Sequence, residues 1–415
     1  MKICILTHTF PRYKNDYAAP FMDGVAYGQT EAGNDVFVLT PYTRGFKRKV
    51  SDQKYTIVTY KYVWPESLHM LGYSNTLKND MGVPKIMYAL SPLMYFFGLV
   101  ALIKLIKKEK INIINAHWIV PNGFIASIAS YLTGVPVVST LPGSDVYIAQ
   151  KPQFRWMARF ATRRSKWITS NSPQLLEDLA KINHPVDIKA RNLLMKKFSP
   201  IIYGTYPSIF KPNRSAIASL RKKHNIPKDH VVIVSVGRLV PKKGFSYLIE
   251  AIPTVLKKYN KVTFLIVGEG DQRNDLTKLV KKLNVESHII FPGWVKYDKL
   301  VNYYNLADVF ILPSIRDEKG NLDDQSVSVV EAMSCGKPIV TTNFPGYKIV
   351  IEDGKNGYLI SEKSLNEIAS VLGKLVASKP LRDKMGKHSR QLVQVKFSWN
   401  AIGQQYNDLF KKLLS

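Results

Sequence analysis

Two basic residues, Arg238 and Lys243, lie in the short segment GRLVPKKG, which joins a strand-like run to a helix-like one. The run VVIVSVG (231–237) is apolar and β-branched, as buried strands are, and FSYLIEAIPTVLKKY (245–259) has apolar residues at helical spacing. The two glycines allow a tight turn, and the N-terminus of the following helix offers free N–H groups to an anion. Arg238 can place two donors on phosphate oxygens, while Lys243 adds a compact charge. We interpret the segment as a phosphate-binding turn, and the alternative is a basic surface turn without a ligand.

A second group of candidate residues lies in SIRDEKGNLDDQSVSVVEAM (314–333). The stretch VSVVEAM is apolar on nearly every side, which predicts a buried helix with Glu331 inside it. A buried carboxylate is costly unless hydrogen bonds satisfy it, so a protein donor or a ligand hydroxyl must reach Glu331. Ser326 is placed to cap this helix, which would leave the amides of Val327 and Ser328 facing an anion. A Glu331 satisfied entirely within the protein is the alternative.

Composition limits the class of protein to which the chain can belong. It has 415 residues, a hydrophobic fraction of 46% and a formal net charge of +28, which together indicate a soluble globular protein of two domains. Such a charge attracts nucleic acid, anionic membranes or phosphorylated substrates. Cys4 and Cys335 form no CxxC pair, so neither a disulfide framework nor a zinc site is predicted. The start MKICILTHTF resembles a first strand rather than a signal peptide, and a reducing, cytoplasmic location is expected.

Strand-like apolar runs alternate with helix-length segments along almost the whole chain. The runs are 2–8, 35–41, 111–118, 136–143, 231–237, 262–270, 288–294, 309–314 and 338–343. This alternation predicts two doubly wound α/β domains with parallel sheets. We expect the first domain to cover 1–200 and the second 213–395, joined by a linker at 201–212 that contains Pro and Gly.

Two segments could meet a membrane. Residues 86–103 are uncharged, but this length only reaches the lower limit for a spanning helix and Pro92 and Gly98 interrupt it, so a helix of the first domain is predicted instead. The segment 154–167 predicts a helix with a basic stripe beside an aromatic one, which is typical of an interfacial helix on an anionic membrane. The stripes consist of Arg155, Arg159, Arg163 and Lys166, and of Trp156, Phe160 and Trp167. The alternative is that the aromatic residues pack on their own domain and the basic ones are simply solvated.

Taken in order, these segments resemble the retaining nucleotide-sugar glycosyltransferases of family 4, which have the GT-B fold. VGRLVPKKGFSYLIEAI resembles the phosphate-binding loop of that family, and GEGDQRNDLTKLV, VVEAMSCGKPIVTT and DGKNGYLI follow in the family order. FSWNAIGQQYNDLFKKLL (397–414) resembles its terminal helix. The resemblance implies two Rossmann-like domains facing a cleft, with the last helix, 396–415, crossing back to the N-terminal domain.

The resemblance also implies roles for residues of the donor site. Two cations neutralise the donor diphosphate, which takes the place of a metal, and the chain has no D-x-D triplet; no metal or other cofactor is therefore expected. The second acid of the E-x7-E motif falls on Glu331, which would bind the ribose. The first falls on Asp323, one methylene shorter than Glu, which would bind the sugar. The implied donor-binding set is Arg238, Lys243, Asp323, Glu331 and the backbone amides of Val327 and Ser328.

On the acceptor side the resemblance implies fewer residues. The usual His of this family falls on Pro142 of TLPGSD, which makes Asp145 the candidate catalytic residue. His117 follows a strand in AHWIVPNG and could face the cleft, although a lone His in that place can equally be structural. Retention needs no protein nucleophile, because the acceptor hydroxyl can approach on the leaving-group face and give its proton to the departing phosphate oxygen.

The sequence therefore predicts a cytoplasmic, peripherally membrane-bound, retaining glycosyltransferase. Its donor would be a UDP- or GDP-linked sugar, its acceptor a lipid-linked glycan or glycolipid, and its other partner an anionic membrane surface rather than nucleic acid. Two alternatives stay open. One is a polyanion-binding protein that uses the same scaffold without catalysis, and the other is a sugar-nucleotide epimerase, which would need a carboxylate acid/base pair.

Overall fold

The named strands all pair in parallel, within two separate sheets. The structure is a computed structural model, and it describes residues 1–13, 16, 18–71, 85–183, 187–318 and 320–415. The chain divides into two compact units: unit 1 is Met1–Tyr203 with Trp399–Ser415, and unit 2 is Gly204–Ser398. The predicted pair of doubly wound α/β domains with parallel sheets is confirmed.

Unit 1 contains a seven-stranded sheet. Its strands are β1 (Lys2–Leu6), β2 (Asp35–Pro41), β3 (Thr56–Tyr60), β4 (Ile113–His117), β5 (Val137–Leu141), β6 (Trp167–Ser170) and β7 (Phe198–Pro200). Its helices are α1 (Pro20–Glu31), α2 (Lys85–Glu109), α3 (Phe124–Thr133), α4 (Ser144–Ala149), α5 (Pro152–Arg164), α6 (Pro173–Asn183), α7 (Ile188–Lys196) and the last helix of the chain, α16 (Trp399–Leu414). The strand order is β3-β2-β1-β4-β5-β6-β7. The chain adds strands toward one edge of the sheet from β1 to β3 and toward the other edge from β4 to β7, so the switch point lies between β1 and β4.

Unit 2 contains a six-stranded sheet. Its strands are β8 (Val231–Val236), β9 (Val262–Val267), β10 (Ile289–Gly293), β11 (Val309–Leu312), β12 (Ile339–Thr342) and β13 (Gly357–Ile360). Its helices are α8 (Ile217–Lys223), α9 (Phe245–Leu256), α10 (Arg273–Lys282), α11 (Tyr297–Leu306), α12 (Val327–Ser334), α13 (Tyr347–Val350), α14 (Leu365–Ala377) and α15 (Lys379–Leu392). The order β10-β9-β8-β11-β12-β13 reverses between β8 and β11. Such a switch point is where open α/β sheets bind ligands, beyond the carboxyl ends of the strands.

Helix α2 packs on the sheet of unit 1 through one face only. Leu90, Met94 and Leu102 are buried in the core on that face. Gly98 permits the close approach, since a Cβ there would stand 2.8 Å from the hydroxyl oxygen of Tyr60. Within the described residues, Ala89–Glu109 is the one helical stretch that is long and apolar enough to cross a membrane, by length and composition only, and 28% of its most apolar window is buried. The packing on the sheet favours the predicted helix of the first domain.

The last helix, α16, packs on the first one. Trp399 fills the space where a side chain at Gly24 would stand. Gly28 of α1 and Gly403 of α16 bring the two backbones so close that a Cβ on either would collide with the other helix. The end of the chain is thereby part of unit 1.

The predicted helix over 154–167 is wrong at its C-terminal end. Helix α5 ends at Arg164, and Trp167 already begins strand β6. Lys166 donates a hydrogen bond from its Nζ to the carbonyl oxygen of Leu413. Arg159 donates from Nε to the carbonyl oxygen of Asn183 at 2.6 Å. Arg155 is half-buried and donates from Nη2 to the carbonyl oxygen of Gln150 at 3.2 Å. The exposed members of the predicted basic stripe are therefore Arg163 and Lys166.

Candidate functional site

The segment after β8 crosses toward the end of the neighbouring strand β11. A short 3-10 turn, Pro241–Lys243, precedes α9. Gly244 adopts a left-handed conformation with φ of 68°, and a Cβ there would collide with the carbonyl of Pro313, just past β11. This close approach, which glycine permits, places Lys243 at the switch point of unit 2.

Lys243 is buried and makes two hydrogen bonds to residues that precede α12. Its Nζ lies 2.9 Å from Asp323 Oδ2 and donates to Ser326 Oγ at 3.1 Å. Burial lowers the pKa of Lys243, and the charge of Asp323 opposes that shift. The result is a desolvated ion pair at the carboxyl end of the sheet, which costs much stability if either partner is removed alone.

Asp323 receives two further hydrogen bonds on the same oxygen. Ser314 Oγ and Tyr347 Oη each donate to Asp323 Oδ2 at 3.0 Å. Burial alone would raise the pKa of Asp323, but the charges of Lys243 and Lys242 and the hydrogen bonds from Lys243 and Tyr347 outweigh burial, so the pKa lies below its ordinary value. Asp323 is accordingly an ionised, fixed carboxylate. Sequence reasoning missed Ser314 and Tyr347; the signal for Ser314 is its position just beyond β11.

The N-terminus of α12 lies next to Lys243. Ser326 occupies the N-cap position, but its side chain does not cap the helix, so that part of the prediction is wrong. The physical reason is that Ser326 Oγ accepts from Lys243 and lies 2.9 Å from Ser328 Oγ. Val327 and Ser328 are half-buried in the first turn, where backbone N–H groups have no partner within the helix. These amides and the helix dipole favour an anion beside Lys243.

Glu331 lies about one turn further along α12, on the same face as Val327 and Ser328. It is buried, and its Oε2 accepts a hydrogen bond of 2.6 Å from the hydroxyl of Tyr304. Burial raises the pKa of Glu331 to about 7, although the hydrogen bond from Tyr304 lowers it. The Tyr304 hydroxyl thus satisfies one carboxyl oxygen of Glu331. With a pKa of about 7, both the protonated and the ionised form of Glu331 are populated near neutral pH.

Arg238 follows β8 directly and is exposed. Besides burial, the charges of Lys242 and Arg238 lower the pKa of Lys243. The three cations are therefore close enough to repel one another and to attract the same anion.

Asp324, next to the ion pair, is buried and accepts a hydrogen bond of 2.7 Å from the amide of Gly346. Burial raises the pKa of Asp324 to about 7. Its role is to hold the loop before α13.

The two candidate residues of unit 1 are placed differently. His117, at the end of β4, is fully buried, and its Nε2 lies 3.1 Å from Asn115 Oδ1. Burial lowers the pKa of His117 to about 3, which keeps it neutral. This environment favours the structural alternative for His117. The backbone of Asp145 lies in α4, while its side chain is outside the part of the chain that the structure describes.

Candidate metal ligands do not cluster in the described residues. They contain no group of three or more His, Cys, Asp or Glu side chains that could hold a metal ion. Cys4 and Cys335 are buried and unbridged. The cations of unit 2 are the groups available there to neutralise an anionic ligand.

Comparison with known proteins agrees with this geometry. Residues 216–392 match the family described as glycosyl transferases group 1, and residues 73–172 match the family described as glycosyl transferase 4-like. An uncharacterised glycosyltransferase of Methanocaldococcus jannaschii is 26% identical over 73% of this chain and 76% of its own. A GDP-mannose-dependent α-(1-6)-phosphatidylinositol monomannoside mannosyltransferase of Mycobacterium tuberculosis is 28% identical over 49% of this chain and 52% of its own.

Among solved structures, Anabaena HepE in complex with UDP superimposes with a TM-score of 0.71 at 18% identity, over 99% of this chain and 100% of that one. This likeness shows the fold. Two parallel sheets of seven and six strands match the GT-B architecture. The two matched segments together cover about two thirds of the chain and are both glycosyltransferase families, so they identify the chain as a glycosyltransferase of the group 1, family 4-like type, and its fold is GT-B.

Proposed function

We propose that the protein is a retaining, metal-independent glycosyltransferase that moves a sugar from a UDP- or GDP-linked donor to a hydroxyl group of a lipid-linked acceptor at the cytoplasmic face of a membrane. The observation that carries the proposal is the buried Lys243 beside the first turn of α12. A diphosphate suits a site with a desolvated lysine, an exposed arginine and a helix N-terminus. GDP-mannose in the name of one relative and UDP bound to HepE support a nucleotide diphosphate as the leaving group.

The roles of the side chains follow from their positions. Arg238 and Lys243 would neutralise the diphosphate, and the first-turn amides of α12 would bind its oxygens. Glu331, one turn along, would accept hydrogen bonds from the ribose hydroxyls. Asp323, held by Ser314 and Tyr347, would bind the transferred sugar.

The reaction needs no protein nucleophile. The acceptor hydroxyl attacks the anomeric carbon on the face from which the diphosphate departs, so configuration is retained. The bond between the anomeric carbon and the phosphate oxygen breaks as the bond to the acceptor oxygen forms. The departing phosphate oxygen takes the hydroxyl proton, and the fixed cations stabilise its negative charge in the transition state.

The acceptor and the membrane are assigned to unit 1. Asp145, in α4 after β5, is the candidate for binding the acceptor hydroxyl, whereas the burial of His117 disfavours contact with a substrate. In α5, Arg163 is exposed and Arg155 is half-buried; both would bind anionic headgroups, each contributing about 1 kcal/mol near the surface. A phosphatidylinositol-based acceptor in the name of one relative supports a lipid-linked acceptor class.

The test begins with ligand binding. A thermal-shift screen with UDP, GDP and ADP forms of common sugars should give one responding donor, because a ligand at about 100 times its Kd stabilises the folded state by roughly 2.7 kcal/mol. Transfer to a membrane extract is then followed with that donor, and NMR of the product should show the anomeric configuration of the donor. Chelation of divalent metals should leave the rate unchanged.

Matched variants make the screen specific. Lys243→Met should abolish the shift, whereas Lys281→Met, at an exposed lysine of α10, should preserve it. An inverted product would refute retention. Salt-dependent nucleic-acid binding without any donor response would refute the transferase and favour the polyanion-binding alternative.

A further inference from the structure

Helix α2 leaves one apolar face open to solvent, although its other face packs in the core. Ile86, Leu93, Phe96 and Phe97 are all exposed, Phe96 to 61%. Their spacing places them on one side of the helix over three turns. We call these four residues the α2 patch. A contiguous exposed apolar surface of this kind marks a binding surface more often than a neutral one.

An aromatic chain links helix α2 to helix α5 through Tyr95, which is half-buried and lies outside the α2 patch. Tyr95, next to Phe96, lies 6.4 Å from the ring of Phe124 at the start of α3, measured between ring centroids. Phe124 in turn lies 5.1 Å from Trp156 in an edge-to-face arrangement. Trp156 nevertheless remains 58% exposed. Aromatic packing thus links α2, α3 and α5, and Trp156 presents a second exposed apolar side chain on these helices.

The helices that carry these residues are strongly basic. Helices α2 and α5 each contain four Lys or Arg residues, α3 contains none, and the single acid of the three helices is Glu109. Lys104, Lys107 and Lys108 follow the apolar stretch of α2 and are exposed. A second copy of the same face would bring these like charges together, whereas an anionic lipid leaflet would neutralise them.

The surface also lies at the functional end of the sheet. Helix α2 leads into β4 and α3 leads out of it, and crossover helices run antiparallel to the strands of a parallel sheet. The N-terminal halves of α2, α3 and α5, with the α2 patch and Trp156, are therefore at the carboxyl edge. Ligands of open α/β sheets bind beyond that edge.

We propose that the α2 patch, together with Trp156, inserts into the interface of an anionic lipid leaflet, while the surrounding lysines and arginines bind lipid phosphates. The inference deepens the membrane part of the proposed function and rests on it. Apolar side chains sink to the acyl boundary and cations stay at headgroup level, which is how amphipathic surfaces lie on membranes. A bilayer so placed would present a lipid-linked acceptor at the carboxyl edge of unit 1.

The experiment labels the patch directly. The two native cysteines are buried, so Phe96→Cys supplies one accessible thiol for an environment-sensitive fluorophore. The matched control is Leu132→Cys, at the other end of α3, because Leu132 is 60% exposed. With vesicles of phosphatidylglycerol and phosphatidylcholine, the label at 96 should shift to the blue and be quenched by brominated acyl chains. The label at 132 should do neither.

Affinity gives a second measurement. Phe96→Ser and Phe97→Ser should each lower the vesicle partition coefficient roughly tenfold, from the apolar area that no longer leaves water. Leu132→Ser should leave it unchanged. If the protein binds vesicles while the label at 96 stays in water, the insertion is refuted and only electrostatic binding remains. No vesicle binding at all refutes the membrane part of the proposed function as well. A blue shift without lipid, accompanied by a doubled mass in sedimentation, overturns the inference in favour of a second copy.

Discussion

Replacement of Glu331 by Gln should make the protein more stable at neutral and alkaline pH while it weakens the nucleotide site. The carboxyl is buried in α12 and has the hydroxyl of Tyr304 as a donor. Burial raises its pKa from 4.5 to about 7. The folded protein therefore binds more protons than the unfolded chain between those values, and by linkage the free energy of unfolding falls as pH rises through this window.

The magnitude follows from the shift. A difference of about 2.5 pKa units corresponds to roughly 3 kcal/mol, since each unit is about 1.4 kcal/mol. Glutamine keeps the size of the side chain and an oxygen that can accept from Tyr304, but it has no charge to bury. Glu331→Gln should therefore match wild type near pH 4, where the carboxyl is protonated in both states, and exceed it by up to about 3 kcal/mol near pH 8. Asp324 adds its own pH dependence to both proteins, which cancels in the difference.

The assay is denaturant unfolding of wild type and Glu331→Gln from about pH 4 to 8, with hydrogen exchange reporting on unit 2 separately. Glu286→Gln, at an exposed acid, is the control and should give a flat difference. In parallel, calorimetry should show weaker binding of the bare nucleotide diphosphate to Glu331→Gln, because the ribose loses hydrogen bonds to a charged acceptor. A stability difference that does not change with pH would refute the burial argument. Unchanged diphosphate binding would refute the ribose assignment.

Further predictions concern the ion pair, the surface and the interior. Lys243→Met should lower the free energy of unfolding by about 3–5 kcal/mol because it leaves Asp323 buried without a counter-charge. The double variant Lys243→Met/Asp323→Asn should recover much of this stability but not the activity. Additive effects of the two substitutions in the double-mutant cycle would contradict the pairing. Asp323→Asn alone should bind the bare diphosphate at least as tightly as wild type in calorimetry while transfer falls, and an unchanged transfer rate would make Asp323 a mere loop acid. Arg155→Glu/Arg163→Glu should release the protein from anionic vesicles in co-sedimentation, as should high salt; unchanged binding would exclude the α5 surface. Because burial lowers the pKa of His117 to about 3 and that of His8 to about 4, unit 1 should lose stability as pH falls below about 6.5, and His117→Asn should weaken that dependence in hydrogen exchange without changing diphosphate binding.

Much of the fold could be predicted from the sequence, because strands buried on both faces of a parallel sheet are continuous apolar runs. The runs 231–237 and 262–270 contain β8 (Val231–Val236) and β9 (Val262–Val267), with the starts correct and the ends one and three residues too late. Strands β3, β6, β7 and β13 were missed, because TIVTY, WITS, FSP and GYLI are too short to show a clear period. Lys166 and Trp167 continue the apparent helical stripes of α5, so nothing local marks Ser165 as the end of that helix.

The site was predictable only where its residues follow strands. Arg238 and Lys243 lie in the loop between β8 and α9, and that position alone indicates a ligand-binding loop. Tyr347 is 24 residues beyond Asp323 and follows a different strand, so its hydrogen bond to that carboxylate depends on the packing of the sheet. Tyr304 and Tyr303 are both buried neighbours in α11, and no pattern indicates which hydroxyl donates to Glu331.

The ion pair between Lys243 and Asp323 would stabilise the proposed diphosphate site when no diphosphate is bound. A desolvated lysine with no partner would be costly, and Asp323 supplies the missing charge at 2.9 Å. An arriving diphosphate would take Asp323's place as the anionic partner of Lys243, and Arg238, Lys242 and the first-turn amides of α12 would balance the charge that it adds. Ser314 and Tyr347 would still hold the freed carboxylate. The shorter acid at position 323 then has a physical reason, since it both reaches Lys243 in the free protein and is retained beside the sugar when the donor is bound.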